Sequence, residues 1–336
     1  MAAYSSMARE VISMTGEFNL INKYFVDRQS QRKDVLLAAG DDCALVEMPE
    51  NVSIAISTDT LVAGTHFLAD APAAWVAHKA LASNLSDLAA MGATPAWVSL
   101  ALTMPEPDES WLKPFCDAFF ELADYFGVQL IGGDTTKGPL SITLTVQGFV
   151  PKERALRRNG AKIGDWVYVT GELGDSKAGL DVVLDSQCQS KPYADELLHR
   201  HFHATPRVLV GQAMLPYASS AIDISDGLIS DVQHILKASQ VGVSLDVDAL
   251  PLSKELIQFV DDKRMAQQYA LTSGEEYELC FTVPEEHKGV VDTATAHCGV
   301  QVTCIGQIRP QEQFELHASG ELLDWSISGY DHFKET

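Results

Sequence analysis

The sequence is short of positive charge. Its 24 lysines and arginines face 46 aspartates and glutamates, for a formal net charge of −22. That balance argues against a nucleic-acid partner, because neutralising a phosphate backbone needs a basic stripe. It leaves room for a small phosphorylated ligand, since bound metal ions invert the local field. Cys43, Cys116, Cys188, Cys280, Cys298 and Cys304 form no CxxC pair, so a zinc or redox-pair reading is weak. Several lie in apolar runs, as in Glu-Leu-Cys280-Phe, and read as buried free thiols of a reducing compartment. No apolar run of about 18 residues is present to span a membrane. Residues Met1 to Glu17 lack the apolar core of a signal peptide. The expected location is cytoplasmic.

What is present is room for two domains. The chain has 336 residues, 46% of them hydrophobic, enough for two real cores. A break near Pro151 suggests domains at 1–150 and 151–336. Apolar spacing predicts a short helix around Leu20–Phe25, a helix from about Ala73 to Met91 with Ala77, Leu81, Leu85 and Leu88 as its stripe, and another over Trp111–Phe126. Phe115, Phe119 and Phe126 on that last helix read as core. Strands are expected at Val35–Leu37, Val52–Ser57, Ala96–Thr103, Val128–Ile131, Ser141–Val150, Asp165–Thr170, Ala221–Ile224, Val243–Val247, Leu279–Val283 and Val302–Ile308. Further helices are expected after Ser176 through Leu184, from Pro206 to about Leu215, and from Leu228, with Val232, Ile235 and Leu236 facing inward.

The chemistry-bearing residues cluster at the ends of these elements. They are Gly40-Asp41-Asp42-Cys43-Ala44, Ser57-Thr58-Asp59, Gly64-Thr65-His66, Asn84-Leu85-Ser86-Asp87, Gly132-Gly133-Asp134-Thr135-Thr136-Lys137, Asp223-Ile224-Ser225-Asp226-Gly227 and Ser273-Gly274-Glu275-Glu276-Tyr277-Glu278. Any single Asp here could cap a helix or open a turn. Capping would account for Ser225 or Asp226, but not for Asp223. If Asp42, Asp59 and Asp87 converge, each pair about 4 Å apart repels by roughly 4 kcal/mol at an effective dielectric near 20. A hard cation among them would relieve this, and an oxygen-only set favours Mg²⁺ or Mn²⁺ over Zn²⁺. Gly132 and Gly133 would let backbone N–H groups approach a phosphate. Gly171-Glu172-Leu173-Gly174-Asp175-Ser176 resembles a glycine-rich phosphate turn but is not a P-loop. Arg154, Arg157 and Arg158 form the one basic patch, either a solvated linker or a polyphosphate clamp. Trp325 and Tyr330 are core plugs or walls for a flat ligand.

Taken together and in this order, the motifs resemble those of the thiamine-monophosphate kinases, over nearly the whole chain from about Gly16 to Tyr330. The resemblance implies the fold of aminoimidazole ribonucleotide synthetase: an α/β first domain whose sheet pairs across a homodimer, and an α+β second domain completing the active-site cleft. It implies direct in-line phosphoryl transfer from ATP to thiamine monophosphate, assisted by several Mg²⁺ ions, giving thiamine diphosphate. By motif, Asp42, Ser57, Thr58, Asp59, Asp87, Asp134, Asp223 and Asp226 resemble metal ligands. Gly133, Asp134, Arg158 and Ser225 resemble ATP contacts, and His66, Glu275 and Tyr330 resemble substrate contacts. Lys137 stands where the family often has Arg, losing a bidentate fork. Ser273 and Glu276 depart from a Gly-Gly-Glu-Asp pattern. The attacking phosphate oxygen is already ionised, so no general base is expected. An anionic Glu275 and an aromatic wall suit a cationic thiazolium ring.

Other readings remain at this level. A selenophosphate or purine-pathway synthetase of the same superfamily shares the carboxylates, but the selenium enzyme would be expected to carry a reactive Cys or selenocysteine with a neighbouring Lys near the N-terminus, and Cys43 has no such Lys. A nucleotide or metal sensor without turnover would keep the same motifs. A metal-dependent phosphatase would not need Gly132-Gly133.

Overall fold

The computed structural model describes residues 22–26 and 31–325. The chain forms two compact units. One gathers the residues up to Pro49 with Thr58–Ala80 and Trp97–Thr145; the other gathers Glu50–Ser57, Leu81–Ala96 and the chain from Val146 onward.

The chain enters the described region in a π-helical turn, Asn22–Val26, with Tyr24 and Phe25 buried. Strands β1 (Val35–Leu37) and β2 (Leu45–Val46) make a small antiparallel pair. Then follow β3 (Val52–Val62), helix α1 (Ala73–Ala90), β4 (Thr94–Met104), α2 (Glu109–Tyr125), β5 (Gln129–Lys137) and β6 (Ser141–Pro151). The four strands form a sheet in the order β3-β6-β4-β5. Strand β6 buries Ile142, Leu144, Val146 and Val150, the alternation its sequence predicts. Helix α1 buries its whole stripe of Ala77, Leu81, Leu85 and Leu88, and also Ser83, Asn84 and Ser86. Helix α2 starts two residues earlier than expected because Asp108 caps it, accepting from the Ser110 amide at 2.8 Å. Phe115 and Phe119 are fully buried on it, so they are core.

Two strands run further than expected. Strand β3 does not end at Thr58-Asp59 but continues to Val62. Strand β5 does not stop at Ile131; Gly132 to Lys137 are also strand. It pairs in parallel with β4, and a register shift after Val98 leaves Ile131 as the extra residue. Gly133 lies opposite Leu100 in that ladder. A Cβ there would sit 1.8 Å from the Leu100 carbonyl oxygen. The strand contact alone therefore requires a glycine, whatever ligand comes near.

The second unit is built on seven strands. In chain order come β7 (Trp166–Thr170), α3 (Asp175–Leu184), α4 (Ala194–Phe202), α5 (Val208–Met214), β8 (Ser220–Asp223), α6 (Leu228–Ser239), β9 (Gly242–Asp246), α7 (Lys254–Val260), α8 (Lys263–Thr272), β10 (Leu279–Val283), α9 (Val291–Thr295), β11 (Val302–Arg309), β12 (Phe314–Ala318) and β13 (Glu321–Leu322). The sheet order is β13-β12-β9-β11-β7-β10-β8. Val167, Val169, Ile222, Leu228, Val232 and Ile235 share its core, and Trp325 packs against that core as a plug. Ala178, Val182, Leu197, Leu256 and Phe259 form a second cluster beneath α3 and α4. Sequence reading had no expectation for α4, α7 or α8.

Candidate active site

Strand β8 ends at Asp223, which is buried and lies in register opposite Leu279 of β10. The last turn of α1 supplies Ser86 and Asp87. The Ser86 hydroxyl donates to Asp223 Oδ2 at 2.8 Å, and the Ser57 hydroxyl donates to Asp87 Oδ2. Burial holds both carboxyls above the usual range, and the charge of Asp87 pushes Asp223 up further. The Ser57 hydrogen bond and the charge of Arg158 pull Asp87 part of the way back. Neither acid caps a helix. Asp87 sits at the carboxyl end of α1, where the helix dipole disfavours negative charge. Such a placement breaks a local rule, as functional sites do. Ser86 is a participant that sequence reasoning missed, though it lies inside the Asn84–Asp87 motif.

Among the described residues, no group of three or more His, Cys, Asp or Glu side chains stands together in a form that could hold a metal ion. What comes together is the pair Asp87–Asp223 with two serine hydroxyls. That donor set is all hard oxygen, and two buried, mutually repelling carboxylates would be discharged by a divalent cation. It fits Mg²⁺, which characteristically takes one or two carboxylates and completes its shell with water and substrate phosphates.

The segment after Asp223 is held by an acid that sequence reasoning missed. Asp231, in the first turn of α6, accepts from the backbone amides of Ser225 and Asp226 at 2.9 and 3.0 Å. Burial pushes Asp231 up to about 7, against those bonds. Neither Ser225 nor Asp226 caps α6; the N-cap is Gly227. The signal available in sequence was an acid in the first turn of a helix. The Ser225 carbonyl in turn accepts from the Glu275 amide at 2.7 Å, and Ile224 exchanges backbone bonds with Tyr277 and Glu278 at 2.9 and 2.7 Å. Glu276 Oε1 accepts from the amides of Gly174 and Ser176 at 2.8 and 3.2 Å, and Ser273 Oγ accepts from Lys177 N at 2.9 Å. The amino end of α3, which resembled a phosphate turn, is thus filled by the protein's own carboxylate. Burial and the neighbouring Asp175 push Glu276 up to about 8.

The remaining candidates are more open. Asp42 is exposed, its amide bonded to Asp41 Oδ1 at 2.8 Å. Because β3 runs straight through, its period of two turns Ser57 and Asp59 to one face and Thr58 to the other. The Thr58 hydroxyl lies 2.9 Å from that of Thr145. Asp59 is partly buried; Gly133 and Asp134 are exposed on β5. His66 Nδ1 accepts from the Val62 amide at 3.0 Å in a turn, and the buried Lys79 donates to the His66 carbonyl at 3.3 Å. The three arginines separate: Arg158 acts on Asp87, whereas Arg154 and Arg157 line a cavity of about 420 Å³ walled by Leu156, Leu215 and Pro216 that includes neither Asp87 nor Asp223. Tyr330 lies outside the described residues.

Residues 40–150 match the AIR synthase related protein N-terminal domain and residues 162–319 the C-terminal domain. The chain is 55% identical over 320 residues to the thiamine-monophosphate kinase of Salmonella typhimurium, covering 95% of this chain and 98% of that one. The chain belongs to the thiamine-monophosphate kinase family. The members of this family are phosphotransferases. A crystal structure of thiamine-monophosphate kinase from Stenotrophomonas maltophilia is 39% identical, with a TM-score of 0.80 over 87% of this chain and 93% of that one. AaThiL complexed with AMPPCP and TMP is 30% identical, with a TM-score of 0.74 over 95% and 97%. The expected fold, α/β and α+β of the aminoimidazole ribonucleotide synthetase type, is therefore the observed one.

Proposed function

We propose that this protein transfers the γ-phosphoryl group of ATP to thiamine monophosphate, giving thiamine diphosphate, and that several Mg²⁺ ions assist. The observation that carries this is the 55% identity to a thiamine-monophosphate kinase over 95% of the chain. A relative complexed with AMPPCP and TMP supports the pair of ligands. Asp87 and Asp223 would hold Mg²⁺, with Asp42, Ser57, Thr58, Asp59, Asp134 and Asp226 as the other hard oxygens. Mg²⁺ bound there would supply positive charge to the transferring phosphoryl oxygens. Ser57 and Ser86 orient the two carboxylates, and Asp231 fixes the Ser225-Asp226 backbone. Arg158, Gly133, Asp134 and Ser225 would meet the nucleotide. His66, Glu275 and Tyr330 would meet the acceptor. The attacking phosphate oxygen is ionised at neutral pH, so the reading assigns no general base.

We further propose that residues 1–150 form an ATP- and Mg²⁺-binding domain that pairs its sheet across a homodimer, that residues 151–336 complete the active-site cleft with Arg158, Asp223, Ser225 and Asp226, and that the enzyme works in the cytoplasm. Free cysteines such as the buried Cys188 and Cys280 suit a reducing compartment. The test is purified protein with ATP, Mg²⁺ and thiamine monophosphate, reading thiamine diphosphate. Product that depends on all three is expected; no product at any Mg²⁺ concentration overturns the reading.

A further inference from the structure

Behind Glu275 stands a buried histidine that the phosphoryl-transfer reading leaves idle. His201, near the end of α4, is 2% exposed. Its Nδ1 lies 2.9 Å from the hydroxyl of Ser176, in the first turn of α3, and its Nε2 lies 3.7 Å from Glu275 Oε2. Ser176 is equally buried. A serine that donates its proton to Nδ1 leaves the ring N–H on Nε2, the edge turned to Glu275. At 3.7 Å this is too long for a direct hydrogen bond but within reach of charge attraction.

The approach of the two helices is itself built in. A Cβ on Gly179, in α3, would sit 2.3 Å from the Leu197 carbonyl oxygen and 2.7 Å from the His201 Cβ. Glycine at this position lets α4 come close enough for His201 to meet Ser176. The constellation is not a hydrolytic triad, because its serine is buried and offers no face to a substrate. Ser176 instead addresses both acids of the following loop: its amide donates to Glu276, and its hydroxyl holds the histidine that faces Glu275. The backbone of Glu275 gives that contact weight. Its φ of 58° is left-handed, a strained conformation for a side-chain-bearing residue. Its amide is fixed to the Ser225 carbonyl, yet Glu275 lies in neither a helix nor a strand whose geometry would aim the carboxylate.

We propose that His201, fixed by Ser176, is the positioning residue that aims the Glu275 carboxylate at the cationic ring of the acceptor, and so sets affinity for the acceptor but not for the nucleotide. This rests on the reading above that Glu275 meets the acceptor. The experiment is steady-state kinetics of the full-length protein, varying thiamine monophosphate and ATP separately. His201→Asn keeps an atom for Ser176 but loses reach to Glu275; His201→Gln puts an amide N–H where Nε2 stands. His201→Asn is expected to raise KM for thiamine monophosphate roughly tenfold with KM for ATP unchanged, and His201→Gln to restore most of it. Equal effects on both KM values, or no rescue by Gln, overturn the proposal. If the Asn variant does not fold, Ser176→Ala carries the test, with a severalfold rise for the acceptor alone expected and no change overturning it. Glu275→Gln separates the two levels. No change in acceptor KM removes Glu275 from the site and the proposal with it. A rise there without one in His201→Asn defeats the positioning role alone.

Discussion

The two halves of the acidic constellation are built differently. From Asp223 to Asp231 and from Ser273 to Glu278, every backbone turn is tied to something: Asp231 to two amides, Glu276 to two more, and Ile224 and Ser225 to the opposite loop. The buried Glu278 accepts from the Thr170 hydroxyl and from Nε and Nη2 of Arg207. By contrast, Asp42 lies exposed in a turn, and Gly133 and Asp134 lie exposed on β5. One region arrives with its charges already desolvated and its geometry fixed. The other keeps its acids in water. Preorganised charge contributes most where charge develops in the reaction, so the buried pair should dominate turnover and the exposed acids should tune affinity.

That contrast can be broken in four ways. Asp87→Asn and Asp223→Asn are expected to lower kcat/KM roughly a thousandfold, about 4 kcal/mol. Without Mg²⁺ the unfolding midpoint should hold or rise, since each change removes one of two repelling buried charges. Asp42→Asn should lower kcat/KM only about ten- to a hundredfold, and raised Mg²⁺ should recover part of it. A loss as large as that of Asp223→Asn would erase the distinction.

Stability should divide the same way. Arg207→Met leaves Glu278 buried without its guanidinium and is expected to destabilise by about 3 kcal/mol in urea titration. Lys113→Met breaks an exposed pair with Asp117, 2.7 Å apart one helical turn away, and should change stability by less than about 0.5 kcal/mol. The exposed half has one rigid point. Gly133→Ala drives a methyl into the Leu100 backbone and should cost about 2 kcal/mol. Gly132→Ala meets nothing within 4 Å and should stay within about 0.5 kcal/mol.

Much of this was legible because it is local. The apolar stripe of α1 and the alternation of β6 can be read from spacing, since a helix or a half-buried strand dictates them residue by residue; the acid-bearing motifs stand out as contiguous runs. What was not legible depends on partners distant in sequence. Gly133 reads as a phosphate-approach glycine until the parallel neighbour that excludes its side chain is seen. The turn at Gly171–Ser176 reads as an anion site until Glu276, about a hundred residues on, is found filling it. Helix α4 went unread because its buried stripe of Ala194, Leu197 and His201 includes a histidine, which breaks an apolar pattern while serving the same face.

The pH dependence of stability is the most direct test of that filled helix end. Glu276 is held above its ordinary value of 4.5, up to about 8, by burial and by Asp175. A carboxyl raised in the folded state favours folding only while it is protonated. Its contribution is therefore fully present below about pH 4.5 and is lost as pH rises through 8. Glu276→Gln keeps an oxygen for the Gly174 and Ser176 amides and removes the titration, so stability should fall less between pH 5 and pH 8.5 than in the parent. The difference should be about 1 kcal/mol, well short of full burial, because the side chain keeps some solvent access and two amides favour its charged form. Urea unfolding at the two pH values checks it. Parallel slopes in parent and variant would mean that Glu276 stays ionised throughout, as an anion bound at a helix end in open water would.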